Sequence, residues 1–318
     1  MKTYNRQEYE DICKEKGKRG IGGSHVTGLM APNKYQSPYK IWKESLYGRN
    51  EEEYSQAAKR GMALENYIAD DFAKLHPEYK VNILDGLAYH KDYWWMVSQV
   101  DRLLTTKDNK LHLLEIKTTN DMNAKIWDNG IPIHYYWQVI HALNVTKADK
   151  AIIFAMVGMD NPYQEYVIDS QDEQVQRDMT KLLDTVVDFW NFHIERGIAP
   201  EIDGSEATSK SIDSLAKKEE FVNHNVDIDK LGDEIKALES QKKLVEEEID
   251  TRKNKLKQAM GTFGKITSDK YSVSYSQCTT SSFNSKKFKE DHPNLYSTYT
   301  STTTYSKFTI TERKKKNV

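Results

Sequence analysis

The chain has 318 residues, 30% of them charged, and a formal net charge of −2. That length suits one large domain with an appendage, or two domains. The near-neutral balance excludes a globally basic nucleic-acid binder, so any DNA contact must come from a local basic surface. Cys13 and Cys278 lie far apart in sequence, which offers neither a disulfide framework nor a zinc motif and fits a reducing cytoplasm. The first residues lack the apolar core of a secretory signal, and no apolar run approaches the ~20 residues of a membrane span.

In chain order, Gly17-Lys18-Arg19-Gly20-Ile21-Gly22-Gly23-Ser24 reads as a glycine turn with two cations beside it, and Ser24 is expected to cap a following short helix. Exposed backbone N–H groups next to an arginine make a phosphate site, although such a stretch is also an ordinary loop. It is not a Walker loop, because no Gly-Lys-Ser/Thr follows. Asn50 is expected to cap a long helix that runs through Glu51-Glu52-Glu53 to about Leu75, where Pro77 stops it. Leu64, Ile68 and Phe72 mark its apolar stripe. Glu65 borders the stripe, either as a solvated carboxylate or as an acid turned toward a site. Gly61 in the helix interior costs up to about 1 kcal/mol, which a close backbone approach to a strand or ligand would explain.

Strands are expected near 79–84, 87–90, 94–104 and 111–118. A helix near 132–145 with Pro132 in its first turn follows, then strands near 149–157 and 163–169 and an amphipathic helix over about 171–196. This order predicts a mixed central sheet flanked by helices over residues 1–200. Residues 201–225 read as a polar linker with some helical tendency. Over 226–260, Leu231, Ile235, Leu238, Val245, Ile249 and Leu256 keep 4-3 spacing, with Lys242 and Arg252 in the remaining seam positions. That is either a long amphipathic helix packed on its own domain or a coiled-coil arm for self-association or partner binding. Residues 261–318 form a small β-rich region: a hairpin from Lys265-Ile266-Thr267 and Tyr271 to Tyr275, a short helix over Lys286 to Glu290, strand or poorly ordered tail over 297–310, and a basic end, Glu312-Arg313-Lys314-Lys315-Lys316.

The chemistry concentrates at Asp101 and at Glu115-Ile116-Lys117, each closing an apolar stretch. Alternation along a strand puts Glu115 and Lys117 on one face and turns Ile116 to the other. A carboxylate and an ammonium at the end of a buried strand are costly unless they pair or bind something. Thr105-Thr106-Lys107-Asp108-Asn109-Lys110 reads as a hairpin turn, which brings Asp101 and Glu115 onto adjacent antiparallel strands about 5 Å apart. Two such acids suit a hard cation such as Mg²⁺, and the nearby lysine suits phosphodiester hydrolysis. The alternative is a pair of surface carboxylates, one of them bridged to Lys117. Farther on, Gln138 and His141 share one face of the predicted helix. They either contact a phosphate, a base or a metal-bound water, or pack an aromatic helix on the sheet.

Five segments in this order resemble the YqaJ-type viral recombinases, phage exonucleases related to lambda exonuclease within the PD-(D/E)XK nuclease superfamily. They are Arg19 to Ser24, Arg60 to Glu65, Ser98-Gln99-Val100-Asp101, Leu114-Glu115-Ile116-Lys117, and Ile131-Pro132 through Tyr136-Trp137-Gln138-Val139. The resemblance covers about residues 15–195 and implies a restriction-endonuclease-like α/β core, followed by a helical and small β appendage. It implies Asp101, Glu115 and the Ile116 carbonyl as ligands for Mg²⁺, with Mn²⁺ as a substitute. By the same resemblance Lys117 positions water or stabilises charge, Glu65 is the helical acid that completes the site, and Gln138 is the superfamily's helical glutamine. Arg19 or Lys18 grips a DNA 5′-phosphate together with Ser24. The tyrosine usual four residues after the glutamine is Ala142 here, so that contact is either missing or made by a neighbour such as His141. The implied activity is 5′-to-3′ digestion of linear duplex DNA in a phage-infected or prophage-bearing bacterial cytoplasm. The 3′ overhang would pass to a phage single-strand annealing protein, and the nuclease could be a homo-oligomer. An endonuclease on the same core and a non-catalytic DNA-binding scaffold that recruits an annealing partner are the other readings.

Overall fold

The computed structural model describes residues 1–48, 56–158, 163–214, 227–302, 305 and 307–311. The expected cap at Asn50, the helix start at Glu51-Glu52-Glu53, residues 215–225 of the expected linker and the tail from Glu312 to Lys316 lie outside them. The chain divides into two compact units, Met1–Lys217 and Lys218–Val318.

The first unit opens with strand β1 (Lys2–Tyr4) and helix α1 (Arg6–Lys16). Asn5 and Glu8 close a capping box at the start of α1, and Gly17 ends it in the left-handed conformation with φ 61°. Helices α2 (Gly23–Met30) and α3 (Pro38–Tyr47) follow. The cap of α2 is Gly22 and not Ser24, which sits exposed inside the first turn. The reason lies one residue earlier. Ile21 pairs like a strand residue with Met96, its N–H donating to the Trp95 carbonyl at 2.7 Å. Gly22 is therefore the last extended residue before the helix.

The long helix α4 (Gln56–Leu75) then leads to β2 (Lys80–Asn82), β3 (Leu87–Tyr89), β4 (Val97–Ser98), β5 (Arg102–Thr105) and β6 (Leu111–Thr119). The single strand expected over 94–104 is thus two strands in two sheets. β4 joins β1 and β3 in a small antiparallel sheet, whereas β5 pairs with β6. The break falls at Gln99 to Asp101, so Asp101 lies free of both ladders. After a short 3₁₀ segment (Asp121–Trp127) come α5 (Ile133–Thr146), β7 (Lys150–Val157), β8 (Gln164–Asp169), α6 (Glu173–Phe189) with a π-helical turn at Trp190–Glu195, and α7 (Glu206–Asp213).

The central sheet has the order β2-β5-β6-β7-β8. Only the β6–β7 pair is parallel, and α5 lies in the crossover that a parallel pair requires. β6 and β7 each carry a run of five buried residues because both of their faces are covered. Leu104, Leu114, Ile116, Ile152 and Phe154 pack against Ile68, Ala69 and Phe72 of α4. On the other face Leu113, Ala151, Ile153 and Ala155 join α2, α5 and α6 in the main core. The mixed sheet flanked by helices is the architecture that the residue patterns predict. Helix α7 packs against α3, and Thr208 donates its hydroxyl to Ser37 at 2.8 Å, so part of the stretch read as linker belongs to the first unit.

In the second unit, α8 (Ile228–Met260) is a helix of 33 residues capped by Asp227. Along its seam Leu231, Leu238, Val245, Ile249 and Leu256 carry exposed side chains. Strands β9 (Lys265–Thr267) and β10 (Ser272–Ser274) form the expected antiparallel hairpin. They are followed by α9 (Ser285–Asp291) and α10 (Pro293–Tyr299). The start of the stretch expected as strand or tail is therefore helical to Tyr299, and the described residues beyond it form no regular element.

Candidate functional site

The β5–β6 hairpin sets the site. Its register pairs Arg102 with Leu114, so Asp101, one residue before the ladder, falls opposite Glu115. Asp101 Oδ2 accepts the Ile116 backbone N–H at 2.7 Å. Glu115 is 5% exposed. Its Oε1 accepts from Lys117 Nζ at 2.5 Å and from Gln138 Nε2 of α5 at 2.7 Å. Lys117 Nζ also lies 4.9 Å from the centre of the Tyr135 ring, which stacks on Trp127 at 5.6 Å. Asp101, Glu115, Lys117 and Gln138 are thus brought together, with the Ile116 amide as a fifth participant.

Electrostatics follow from this burial. Loss of solvent first, and then the Glu115 charge, push the Asp101 carboxyl up to about 7, against the opposing pull of Lys117 and the Ile116 amide. Burial works against the Lys117 ammonium, but Glu115 and Asp101 outweigh it and hold its pKa above the ordinary lysine value. Two acids against one lysine leave an excess of negative charge when both acids are ionised. No hydrogen bond among the described residues engages Asp101 Oδ1 or Glu115 Oε2. Two close carboxylates, one of them reluctant to ionise, with an unengaged oxygen on each, are a donor set that fits a hard divalent cation. Among the described residues no three His, Cys, Asp or Glu side chains gather as a ligand set. A cation here would complete its shell with backbone, water or phosphate oxygens, the usual habit of Mg²⁺.

The other residues singled out in the sequence fall elsewhere. Glu65 accepts from Arg102 Nη1 at 2.6 Å, and its charge adds to the upward push on the Asp101 carboxyl. Arg19 makes two hydrogen bonds to Glu10, at 2.8 and 2.6 Å, and Lys18 pairs with Glu195 at 2.6 Å. Arg19 and Ser24 nevertheless line the same cleft of about 650 Å³ as Asp101 and Gln138, with Arg6 and Glu10 at its rim. His141 does not contact the cleft. It is fully buried, its Nε2 bonds to the Val97 carbonyl at 2.8 Å, and burial lowers its pKa to about 4. A buried neutral imidazole cannot serve as a phosphate contact, and it does not replace the tyrosine missing at Ala142. The glycines act by close approach. A side chain on Gly20 would overlap the Trp95 carbonyl, one on Gly23 would meet Gln138 Cγ at 3.0 Å, and one on Gly61 would meet Thr118 Oγ1 at 3.4 Å.

Sequence reasoning passed over Arg102, Tyr135 and Glu10. Arg102 had a visible signal, a lone cation between Asp101 and the apolar Leu103-Leu104. The Asn5-x-x-Glu8 spacing announced α1, which carries Glu10 to the cleft.

Residues 14–149 match the family model described as the YqaJ-like viral recombinase domain. Over 313 residues the chain is 29% identical to the uncharacterized protein YqaJ of Bacillus subtilis (strain 168), covering 93% of this chain and 92% of that one. In structure it is similar to an alkaline exonuclease, LHK-Exo, from Laribacter hongkongensis, with TM-score 0.46 and 19% identity over 65% of this chain and 100% of that one. It is also similar to a phage related exonuclease from Haemophilus somnus 129PT, with TM-score 0.43 and 10% identity over 57% of this chain and 97% of that one. The likeness to the YqaJ-like viral recombinase domain thus rests on residues 14–149.

Proposed function

We propose that the protein is a divalent-metal-dependent deoxyribonuclease that digests linear duplex DNA from its 5′ ends and leaves 3′ overhangs. The observation that carries this reading is the buried contact of Glu115 with both Lys117 and Gln138, facing Asp101 across the hairpin. Mg²⁺ is the proposed cation, with Asp101, Glu115 and the Ile116 carbonyl as its protein ligands and Mn²⁺ as a substitute. When bound, the cation supplies Lewis-acid activation of water and stabilisation of phosphoryl oxygens. The chain's own residues do the rest. Gln138 and Lys117 fix Glu115 through one oxygen and leave the other for ligation. Lys117, held between Glu115 and the Tyr135 ring, stays charged to orient an attacking water and offset charge on the phosphate. Arg19 and Ser24 sit along the cleft where the 5′-terminal phosphate would enter.

The overhang suits an annealing protein of phage recombination as partner, and the setting proposed is a bacterial cytoplasm. No helix among the described residues is long and apolar enough to cross a membrane. The test is digestion of linear duplex with 5′-phosphate or 5′-hydroxyl ends, with and without Mg²⁺, beside a closed circle. Mg²⁺-dependent loss of the linear forms alone supports the reading. Cutting of the circle turns it to an endonuclease, and no digestion at all turns it to a DNA-binding scaffold. Glu115→Ala should abolish cleavage and keep the fold, and unchanged digestion by that variant would sink the assignment of the site.

A further inference from the structure

Arg102 is 5% exposed and has no role in the chemistry just described, yet its guanidinium makes three hydrogen bonds. Nη1 donates to Glu65 Oε1 at 2.6 Å and to the Asp101 carbonyl at 2.5 Å, and Nη2 donates to Asn66 Oδ1 at 2.6 Å. Strand alternation explains the placement. Arg102 lies on the sheet face that carries Leu104, Leu114 and Ile116, the face covered by α4. Glu115 lies on the opposite face, where Gln138 of α5 reaches it. Glu65 of α4 therefore meets the cation on its own side of the sheet.

We propose that Arg102 and Glu65 act as one positioning unit for Asp101, and that Glu65 is not a cation ligand. The proposal rests on the metal-dependent nuclease reading. A buried guanidinium is tolerated only when its charge and its donors are compensated. Glu65 supplies the charge, and Asn66 and the Asp101 carbonyl take further donors. Asp101 has left both ladders, so no ladder hydrogen bond fixes it. It is pinned instead at two points, its carbonyl by Arg102 and its carboxylate by the Ile116 amide. The planar fork of arginine reaches the three acceptors at once, whereas a lysine in its place presents a single point of charge. Removing the Glu65 charge unbalances Arg102, and the error is passed to Asp101.

The test compares Glu65→Gln, Arg102→Lys and the double variant, with Asp101→Asn as control. Mn²⁺ binding is measured by calorimetry without DNA, and kcat and KM are measured on linear duplex. Each single variant should lower kcat about tenfold and leave KM within about threefold. The double variant should fall no further than the worse single one, because the two residues act together. Glu65→Gln should bind Mn²⁺ within about threefold of the wild type, while Asp101→Asn loses binding. Loss of Mn²⁺ binding in Glu65→Gln overturns the proposal, as do multiplicative losses in the double variant. Should Arg102→Lys fail to fold, Glu65→Gln alone still decides whether Glu65 is a ligand. A wild type that binds Mn²⁺ but digests no DNA sinks the nuclease reading, while the calorimetry still decides whether Glu65 is a ligand. A wild type that binds no Mn²⁺ overturns both.

Discussion

Gln138 donates to Glu115 Oε1 at 2.7 Å, the same oxygen that takes Lys117 Nζ. One helix residue and one strand residue thus converge on a single carboxylate atom, and no hydrogen bond among the described residues takes the other oxygen. Gln138→Ala removes one of the two donors without exposing an unpaired charge, since Lys117 remains. Activity should drop about 10- to 100-fold, while stability changes by no more than about 1 kcal/mol. Single-turnover cleavage and denaturant unfolding of the variant measure the two effects.

Asp101 gives a pH dependence whose sign is fixed. Its folded pKa of about 7 lies above the ordinary 3.8. Its contribution to stability is therefore present at low pH and is lost as pH rises through about 7. A cation that binds only the ionised carboxylate must displace that proton below pH 7 and need not above it. The rise in Tm produced by Mg²⁺ should therefore be larger at about pH 8 than at about pH 6. Asp101→Asn should remove both the Mg²⁺ effect and its pH dependence.

His141 works in the opposite direction. Burial holds its folded pKa at about 4, below the ordinary 6.5. The stability that it contributes is present above pH 6.5 and is lost as pH falls toward 4. Replacing it by Gln should flatten the acid limb of a stability–pH curve relative to the wild type. Chemical unfolding across that range is the measurement.

Arg19 is held by Glu10, so the cleft's positive charge is partly cancelled before DNA arrives. Glu10→Gln should free the guanidinium for a phosphate. Binding to duplex ends should tighten, and the slope of log affinity against log salt should steepen by about 1. A titration series at several salt concentrations tests this.

Gly20 sits where any side chain would overlap the Trp95 backbone carbonyl, and its N–H donates to the Tyr9 hydroxyl at 2.9 Å. Backbone cannot swing aside as a flexible side chain can. Gly20→Ala should cost about 1–3 kcal/mol of stability. Gly23→Ala, whose tightest contact is the Gln138 Cγ at 3.0 Å, should cost less stability and should lower activity by displacing Gln138.

The central sheet was legible because its strands are apolar and bounded by turn residues, and the Asp101–Glu115 juxtaposition was legible because hairpin register follows from the turn. What escaped the sequence were partner choices. Glu65 borders an apolar stripe whichever face of the sheet its helix covers, so its pairing with Arg102 depends on tertiary placement. Lys18 and Arg19 look like free cations until Glu195 and Glu10, 177 and nine residues away, are brought beside them. His141 differs from a surface histidine only in burial, which local spacing does not encode. The split of the strand at Gln99 to Asp101 was hidden by an apolar pattern that runs on through it. That break is what lets Asp101 leave the ladder.

The aromatic stack beside the site has an optical consequence. Trp127 is buried, its ring stacks on Tyr135, and Tyr135 lies under the Lys117 ammonium. Any ligand that draws Lys117 away from Tyr135 changes the electric field at the indole, so Trp127 emission should report occupancy of the centre without an added dye. In a variant retaining Trp127 as its single tryptophan, a stopped-flow trace would time the arrival of cation and phosphate separately from bond cleavage.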